Sequence, residues 1–248
     1  MRFSKMISAT LAVLFIVFSS CTKTDNDSNI PAAGLMAFNL ATDQPATNIT
    51  LSGNILPGSP MDYLSYTGGY LRIFPGSRTV AAFDYFTGSM LTNSSYNFEP
   101  NKYYTLFVIG NLKNYSNVIV KDNLDSLDAA KGGAFIRYIN AIPDSGKPVV
   151  SVTAEKSVID ENAPFGKVSD FTQVTAGQVT VSVKNDNTIN ATRTIKLDEL
   201  KAYTILLTGD PKATDSTKKI QIRYIENGTV TDVADQRTIT SANSRSSN

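Results

Sequence analysis

The sequence predicts an all-β protein built as two tandem antiparallel β-sandwich domains. Three observations predict it. Short apolar stretches alternate with polar residues, as where Thr180 and Ser182 separate Val179, Val181 and Val183; period two marks a strand with one buried face. Turn residues interrupt the chain at short intervals: Asp43-Gln-Pro45, Pro75-Gly76, Glu99-Pro100-Asn101, Asp144-Ser-Gly146, Ala176-Gly177 and Asn227-Gly228. The same landmarks also recur in the same order, about one hundred residues apart, which marks a tandem repeat.

Composition bounds the chemistry. Of the 248 residues 42% are hydrophobic, enough for a packed core. Twenty-three basic against 22 acidic residues leave a net charge of +1, which offers no electrostatic footprint for nucleic acid. There is no His and a single Cys, Cys21. His-based acid–base or nucleophile catalysis is therefore excluded, and zinc, copper and non-haem iron lack their usual ligands. No G-x-S-x-G elbow occurs, and the Asp and Glu residues do not sort into an acid–base pair. No catalytic residue, metal or cofactor is expected. Trp is absent too, which weakens a sugar-stacking reading.

In chain order, residues 1–20 read as a signal peptide. Arg2 and Lys5 form a basic head, Met6 to Phe18 an apolar run, and Ser19 and Ser20 a small-residue end. The run is too short to span a bilayer as a helix, which takes ~20 apolar residues. Phe18-Ser19-Ser20-Cys21 resembles the lipobox of bacterial lipoproteins. That resemblance implies cleavage before Cys21 and lipidation of its sulfur, with Phe18 standing where Leu is commonest. Several acyl chains anchor firmly, since each buried methylene adds ~0.8 kcal/mol. Residues 21–32 form the lipidated cysteine and a polar tether. Asp25 to Asn29 starts like a calcium loop but fails, because Ile30 and Met36 stand where Gly and Glu are needed. Lys23, Asp25 and Asp27 loosely resemble the surface-export tag of Bacteroidetes-type lipoproteins, which implies the outer membrane and its outer face.

The first repeat is placed at 33–122 and the second at 133–237. Gly34 to Asp43 matches Gly133 to Asp144, with Asn39 on Asn140 at an offset of 101; Gly69 to Gly76 matches Asp170 to Gly177 at 101; Phe98 to Asn111 matches Leu197 to Asp210 at 99. Tyr104 to Ile109 and Tyr203 to Leu207 are continuous apolar runs ending at Gly, as central strands do. Residues 123–132 read as a linker with one turn of helix around Leu124 and Leu127. Residues 238–248 are a polar tail. Phe98 and Leu197 each precede by six a tyrosine that opens a strand, Tyr104 and Tyr203. This resembles the tyrosine corner of immunoglobulin-like sandwiches, in which the ring is buried and its hydroxyl bonds backbone upstream.

Ala163-Pro-Phe-Gly-Lys-Val-Ser-Asp-Phe-Thr-Gln-Val-Thr-Ala-Gly177, with Arg137-Tyr-Ile-Asn-Ala-Ile-Pro-Asp144 before it and Lys201-Ala-Tyr-Thr204 after it, resembles the domain of unknown function 4397 family. The first repeat departs from the motif, with Leu64-Ser-Tyr-Thr-Gly-Gly-Tyr70 in place of Pro-Phe-Gly-Lys-Val-Ser-Asp, but keeps the turn and both flanking strands. The resemblance implies immunoglobulin-like sandwiches outside the cytoplasm and supplies no catalytic residues.

Three functions remain in order. The first is a non-catalytic envelope module that binds a glycan or protein partner; the second is a structural spacer or accessory subunit of a surface assembly; an enzyme is third. Tyr63, Tyr66 and Tyr70, clustered beside Gly68-Gly69, are the candidate ligand contacts, since tyrosine pairs rigid contact area with a hydroxyl. The alternative for these rings is core packing. Asp122, Asp125 and Asp128 read as a solvated acidic face or a weak calcium site. Asp125-Ser126-Leu127 and Asp215-Ser216-Thr217 resemble O-glycosylation sites of Bacteroidetes envelope proteins.

Overall fold

The computed structural model describes residues 31–129, 132–144, 146–185 and 188–232. Cys21, the leader and most of the tether lie outside these residues, as does the tail.

The first repeat folds into eight strands: Ala33–Ala41 (β1), Ala46–Leu51 (β2), Asn54–Asp62 (β3), Leu71–Ile73 (β4), Gly76–Asp84 (β5), Met90–Phe98 (β6), Tyr103–Asn111 (β7) and Asn114–Asp122 (β8). They form two sheets, β4-β1-β7-β8 and β3-β2-β5-β6. A 3-10 turn at Leu124–Ser126 leads to Asp128–Ala129 (β9). The second repeat uses Gly133–Asn140 (β10), Val149–Thr153 (β11), Ser157–Asn162 (β12), Thr172–Thr175 (β13), Gly177–Lys184 (β14), Asn190–Leu197 (β15), Lys201–Thr208 (β16) and Gln221–Thr229 (β17). Its sheets, β13-β10-β16-β17 and β12-β11-β14-β15, repeat the first topology. Thr231–Asp232 (β18) pairs with β9. The ladders are antiparallel except β1–β7, β10–β16 and β9–β18, which are parallel. The chain is thus two tandem β-sandwiches.

Each sandwich has its own core. Leu35, Ala37, Ile49, Val80, Ala82, Phe98, Tyr104, Leu106 and Val108 fill the first. Ile136, Tyr138, Val150, Val152, Val179, Val181, Val183, Tyr203, Ile205 and Leu207 fill the second. The matched Asn39 and Asn140 are buried ties. Asn39 Nδ2 donates to the carbonyls of Met61 (3.0 Å) and Gln44 (3.3 Å), and Asn140 Nδ2 to that of Ala163 (2.7 Å). A buried amide must find such partners, so the sequence keeps it where the strand ends need joining.

Tyr104 and Tyr203 are buried. The Tyr104 hydroxyl accepts from the Glu99 N–H at 2.9 Å, with its ring edge-on to Phe98 at 5.0 Å. The Tyr203 hydroxyl accepts from the Asp198 N–H at 3.1 Å. The intervening turns place Asn101 and Leu200 at matching left-handed angles, φ 59 and 58°.

The two sandwiches also share a third core. Every residue of β1 and of β10 is buried, because alternate side chains face in opposite directions and both directions are covered. Met36, Phe38, Leu40, Phe107 and Ile109 meet Ile139, Ala141 and Leu206 of the second repeat. The apolar runs of β7 and β16 have the same cause, with a protein layer on either side. Equivalent residues face one another, as in an isologous interface: Asn111 Nδ2 donates to Asp210 Oδ2 at 3.1 Å, and these positions align in the repeat.

A charged centre sits inside this junction. Arg137 and Asp122, both about 2% exposed, form a salt bridge. Arg137 also donates to Thr105 and Thr204, each at 2.9 Å, and lies over the Phe171 ring at 4.5 Å. Asp122 accepts from Thr105 and from the Tyr70 hydroxyl (2.6 Å), and Asn227 ties Tyr70 (3.2 Å) to Thr204 (2.6 Å). Asp122 is therefore not part of a solvated acidic face. Its neighbour Asp125 is exposed and pairs with Lys102.

Candidate functional site

Of the three tyrosines singled out by sequence, Tyr63 and Tyr70 turn toward the second repeat and Tyr66 does not. The Tyr70 hydroxyl belongs to the buried network, and burial, reinforced by the Asp122 charge, pushes its pKa above the ordinary tyrosine range. The Tyr63 hydroxyl lies 3.3 Å from Thr208 Oγ1, and burial raises its pKa as well. Tyr66 stacks on Phe38 with centroids 5.1 Å apart and keeps one face near solvent, at 38% exposure.

Phe74 and Tyr103 are exposed singly, and an exposed aromatic pair lies at the β5–β6 hairpin. Asp84 closes this turn: its Oδ1 accepts from the N–H groups of Phe86 (2.8 Å) and Thr87 (3.1 Å), and its carbonyl from Gly88 (2.9 Å). These backbone donors hold the Asp84 carboxyl below its ordinary pKa. The turn presents Tyr85 and Phe86 edge-to-face at 5.2 Å, exposed by 47% and 71%. Met90, also exposed, pairs across the strands with Phe83. Ala82 faces the core, so Phe83 and Met90 share the outer face.

A second exposed apolar residue belongs to the same end of the sandwich. Leu112 is 80% exposed at the β7–β8 turn, with φ 48° and Lys113 at φ 71°. Two successive positive angles favour Asn-Gly, so a leucine there is a strained choice. Both features flank the β1–β2 turn: Tyr85 N–H donates to the Ala46 carbonyl (3.2 Å) and Leu112 N–H to Asp43 Oδ2 (2.8 Å). The chain enters β1 at Ala33, at the opposite end of that strand from this turn.

The second repeat supplies an internal comparison. Its equivalent hairpin carries exposed Lys184, Thr188 and Asn190, and the turn's one large apolar residue, Ile189, is fully buried. The fold therefore does not require aromatic residues at this hairpin. Clustering of tyrosines along the chain does not single them out, since Tyr85 stands apart from Tyr63, Tyr66 and Tyr70. The usable signal was Asp-Tyr-Phe-Thr-Gly, two aromatics inside a turn where no core can cover them.

Among the described residues no group of three acidic side chains is placed to hold a metal ion. No helix among them is long and apolar enough to cross a membrane.

The family model described as domain of unknown function (DUF4397) matches twice, over residues 33–147 and 134–245. The chain belongs to the DUF4397 family. The two matches overlap on β10, the strand that follows directly from the linker. Among curated proteins no sequence matches this DUF4397 chain. Solved structures similar to it include the α-glucan-recognising family 41 carbohydrate-binding modules of streptococcal virulence factors, at 10% identity and a TM-score of 0.25, covering 76% of this chain and 96% of that one. Another is an adhesin-like protein from Bacteroides ovatus, at 7% identity and a TM-score of 0.20, covering 81% and 94%. Likenesses this remote carry no functional argument.

Proposed function

We propose that this DUF4397 protein is a non-catalytic binding module of the cell envelope, anchored through lipidated Cys21, that contacts a glycan or protein partner with the apolar pole of its first repeat. The observation that supports it is the exposed Tyr85–Phe86 pair on a hydrogen-bonded hairpin whose counterpart in the second repeat is polar. Exposed rigid aromatics are what binding surfaces use, since they bury large area at low entropic cost. An edge-to-face pair at a convex tip suits insertion into a partner's cleft.

The test is retention of partners by the full-length protein in its own cells, run beside a glycan array, for wild type, Phe86→Ala and Leu112→Asn. The expected result is a defined partner or glycan whose retention drops about tenfold or more in Phe86→Ala, as for a residue worth over 1.4 kcal/mol. Equal retention by all three proteins overturns the reading. The anchor is tested separately by palmitate labelling. Cys21→Ser should abolish the label and release the protein from the membrane fraction, and protease shaving of intact cells reports whether it faces outward.

A further inference from the structure

Sheet edges are where a sandwich can pair with a foreign strand, and proteins normally blunt them with charge, proline, bulges or a covering element. In this molecule β3 carries Pro57 and Pro60, β12 Asp160 and Glu161, β15 Arg193 and Lys196, and β17 Arg223 and Glu226. The edges of β6 and β8 cover one another, with Asn117 donating to Ser94 (3.2 Å) and to the Val80 carbonyl (2.9 Å). β4 is three residues long and includes Arg72. The edge strand β13, Thr172-Gln-Val-Thr175, is also short, at four residues, but it has no charge, no proline and no bulge.

Among the described residues one side of β13 is unpaired, and the ladder defines which. Ala176 N–H donates to the Gly132 carbonyl, and Gly133 pairs in register with Thr175 while its own carbonyl accepts from Leu200 on the opposite side. Antiparallel alternation then turns the N–H and C=O of Val174 toward β10 and those of Gln173 and Thr175 outward. In the first repeat the position matching Thr175 is Phe74. Its carbonyl is capped by Arg78 Nε at 3.2 Å, and that of Pro75 by the same guanidinium at 3.0 Å. The residue matching Arg78 is Val179, which is buried in the core and can cap nothing. The second repeat thus has the edge without the cap.

A groove of about 580 Å³ opens at this edge, between Gln173 to Thr175 and the β11–β12 turn at Ala154 to Val158, with Gly132 and Gly133 at its end. We infer that β13 receives an extended segment of a partner protein by strand addition, in this groove. The outward groups of Gln173 and Thr175 would pair with the partner's backbone, and every second partner side chain would enter between the sheets over Ala154 and Val158. Small β-branched side chains at alternate positions fit that space. Lys156 and Glu155 at the rim cancel in charge, so the segment is neutral.

The probe is a fluorescein-labelled heptapeptide with no charged side chain, Gln-Val-Thr-Val-Ser-Val-Ser, titrated into the full-length protein in detergent with amide exchange followed residue by residue. The expected result is saturable binding that slows exchange at Gln173 and Thr175. Thr175→Lys, which restores a charged edge, should weaken binding about tenfold, and Gln173→Pro, which removes only an outward donor, should also weaken it. Thr192→Lys, the same charge on another strand, should bind as wild type. Absence of saturation, or equal binding by Thr175→Lys, overturns the inference. Slow exchange in the free protein that rises with protein concentration assigns the edge to a second copy. Slow exchange relieved by deleting residues 233–248 assigns it to this chain's own terminus. Either overturns a partner protein as the occupant.

Discussion

At the residue scale the junction between repeats turns on two positions at which the repeats differ. Arg137 aligns with Met36, and Asp122 with Asn227. The first repeat's position is satisfied by an apolar side chain, and the second repeat's by a buried cation that needs a buried anion. Removing one partner leaves an uncompensated charge, whereas replacing both is nearly neutral. Arg137→Met alone should therefore cost about 3 kcal/mol in urea unfolding, and Arg137→Met with Asp122→Asn should recover most of it. A double variant no more stable than the single one would mean the pair is not coupled. Tyr203→Phe deletes only the acceptor of the Asp198 N–H and should cost about 1 kcal/mol in the same assay; an unchanged midpoint would remove the hydroxyl from any stabilising role.

At the element scale the β5–β6 hairpin depends on one carboxylate. Asp84 has its folded pKa lowered by the N–H groups of Thr87 and Phe86. A lowered folded value means that its contribution is complete above the ordinary carboxylate range near ~4 and is lost as pH falls through the depressed value. Amide exchange at Phe86 and Thr87 should therefore accelerate, beyond its intrinsic pH dependence, only under strongly acidic conditions. Asp84→Ala should show that faster exchange already at neutral pH, while the sandwich core stays protected. If exchange in Asp84→Ala matches wild type at neutral pH, the turn is held by its backbone alone.

At the scale of the whole molecule the two sandwiches are one folding unit. Met36, Phe38, Leu40, Phe107 and Ile109 would face water if the second repeat were removed. Each such side chain is worth about 1.5–3 kcal/mol when buried. The intact protein should unfold in one cooperative transition, and a chain ending at residue 129 should aggregate rather than fold. Two separable transitions would show that the shared core is not essential to either half. Sharing the core also frees the far pole of the first repeat and the β13 edge of the second, which lie off the junction.

The repeat itself was legible in the chain. Asn39 and Asn140, Tyr104 and Tyr203, and the glycine-ended runs of β7 and β16 each answer a local need, a strand end to tie or a turn to close, and local needs leave local signals. The continuous apolar runs were read as central strands, but what covers their second face was not written in either repeat alone. Asp122 looked solvated because nothing near it in sequence reveals Arg137, which lies on the opposite sheet. For the tyrosines at 63, 66 and 70 the sequence leaves ligand contact and core packing both open for the same reason, and the fold covers Tyr63 and Tyr70 while leaving Tyr66 exposed. The sequence by itself determined two β-sandwiches in tandem, since period-two patterning and turn chemistry are short-range. Only the tertiary structure decided which faces meet. Burial of a side chain depends on what packs against it from far along the chain, and so the exposed pole at Phe86 and the uncapped edge at Thr175 appear only once the rest has folded.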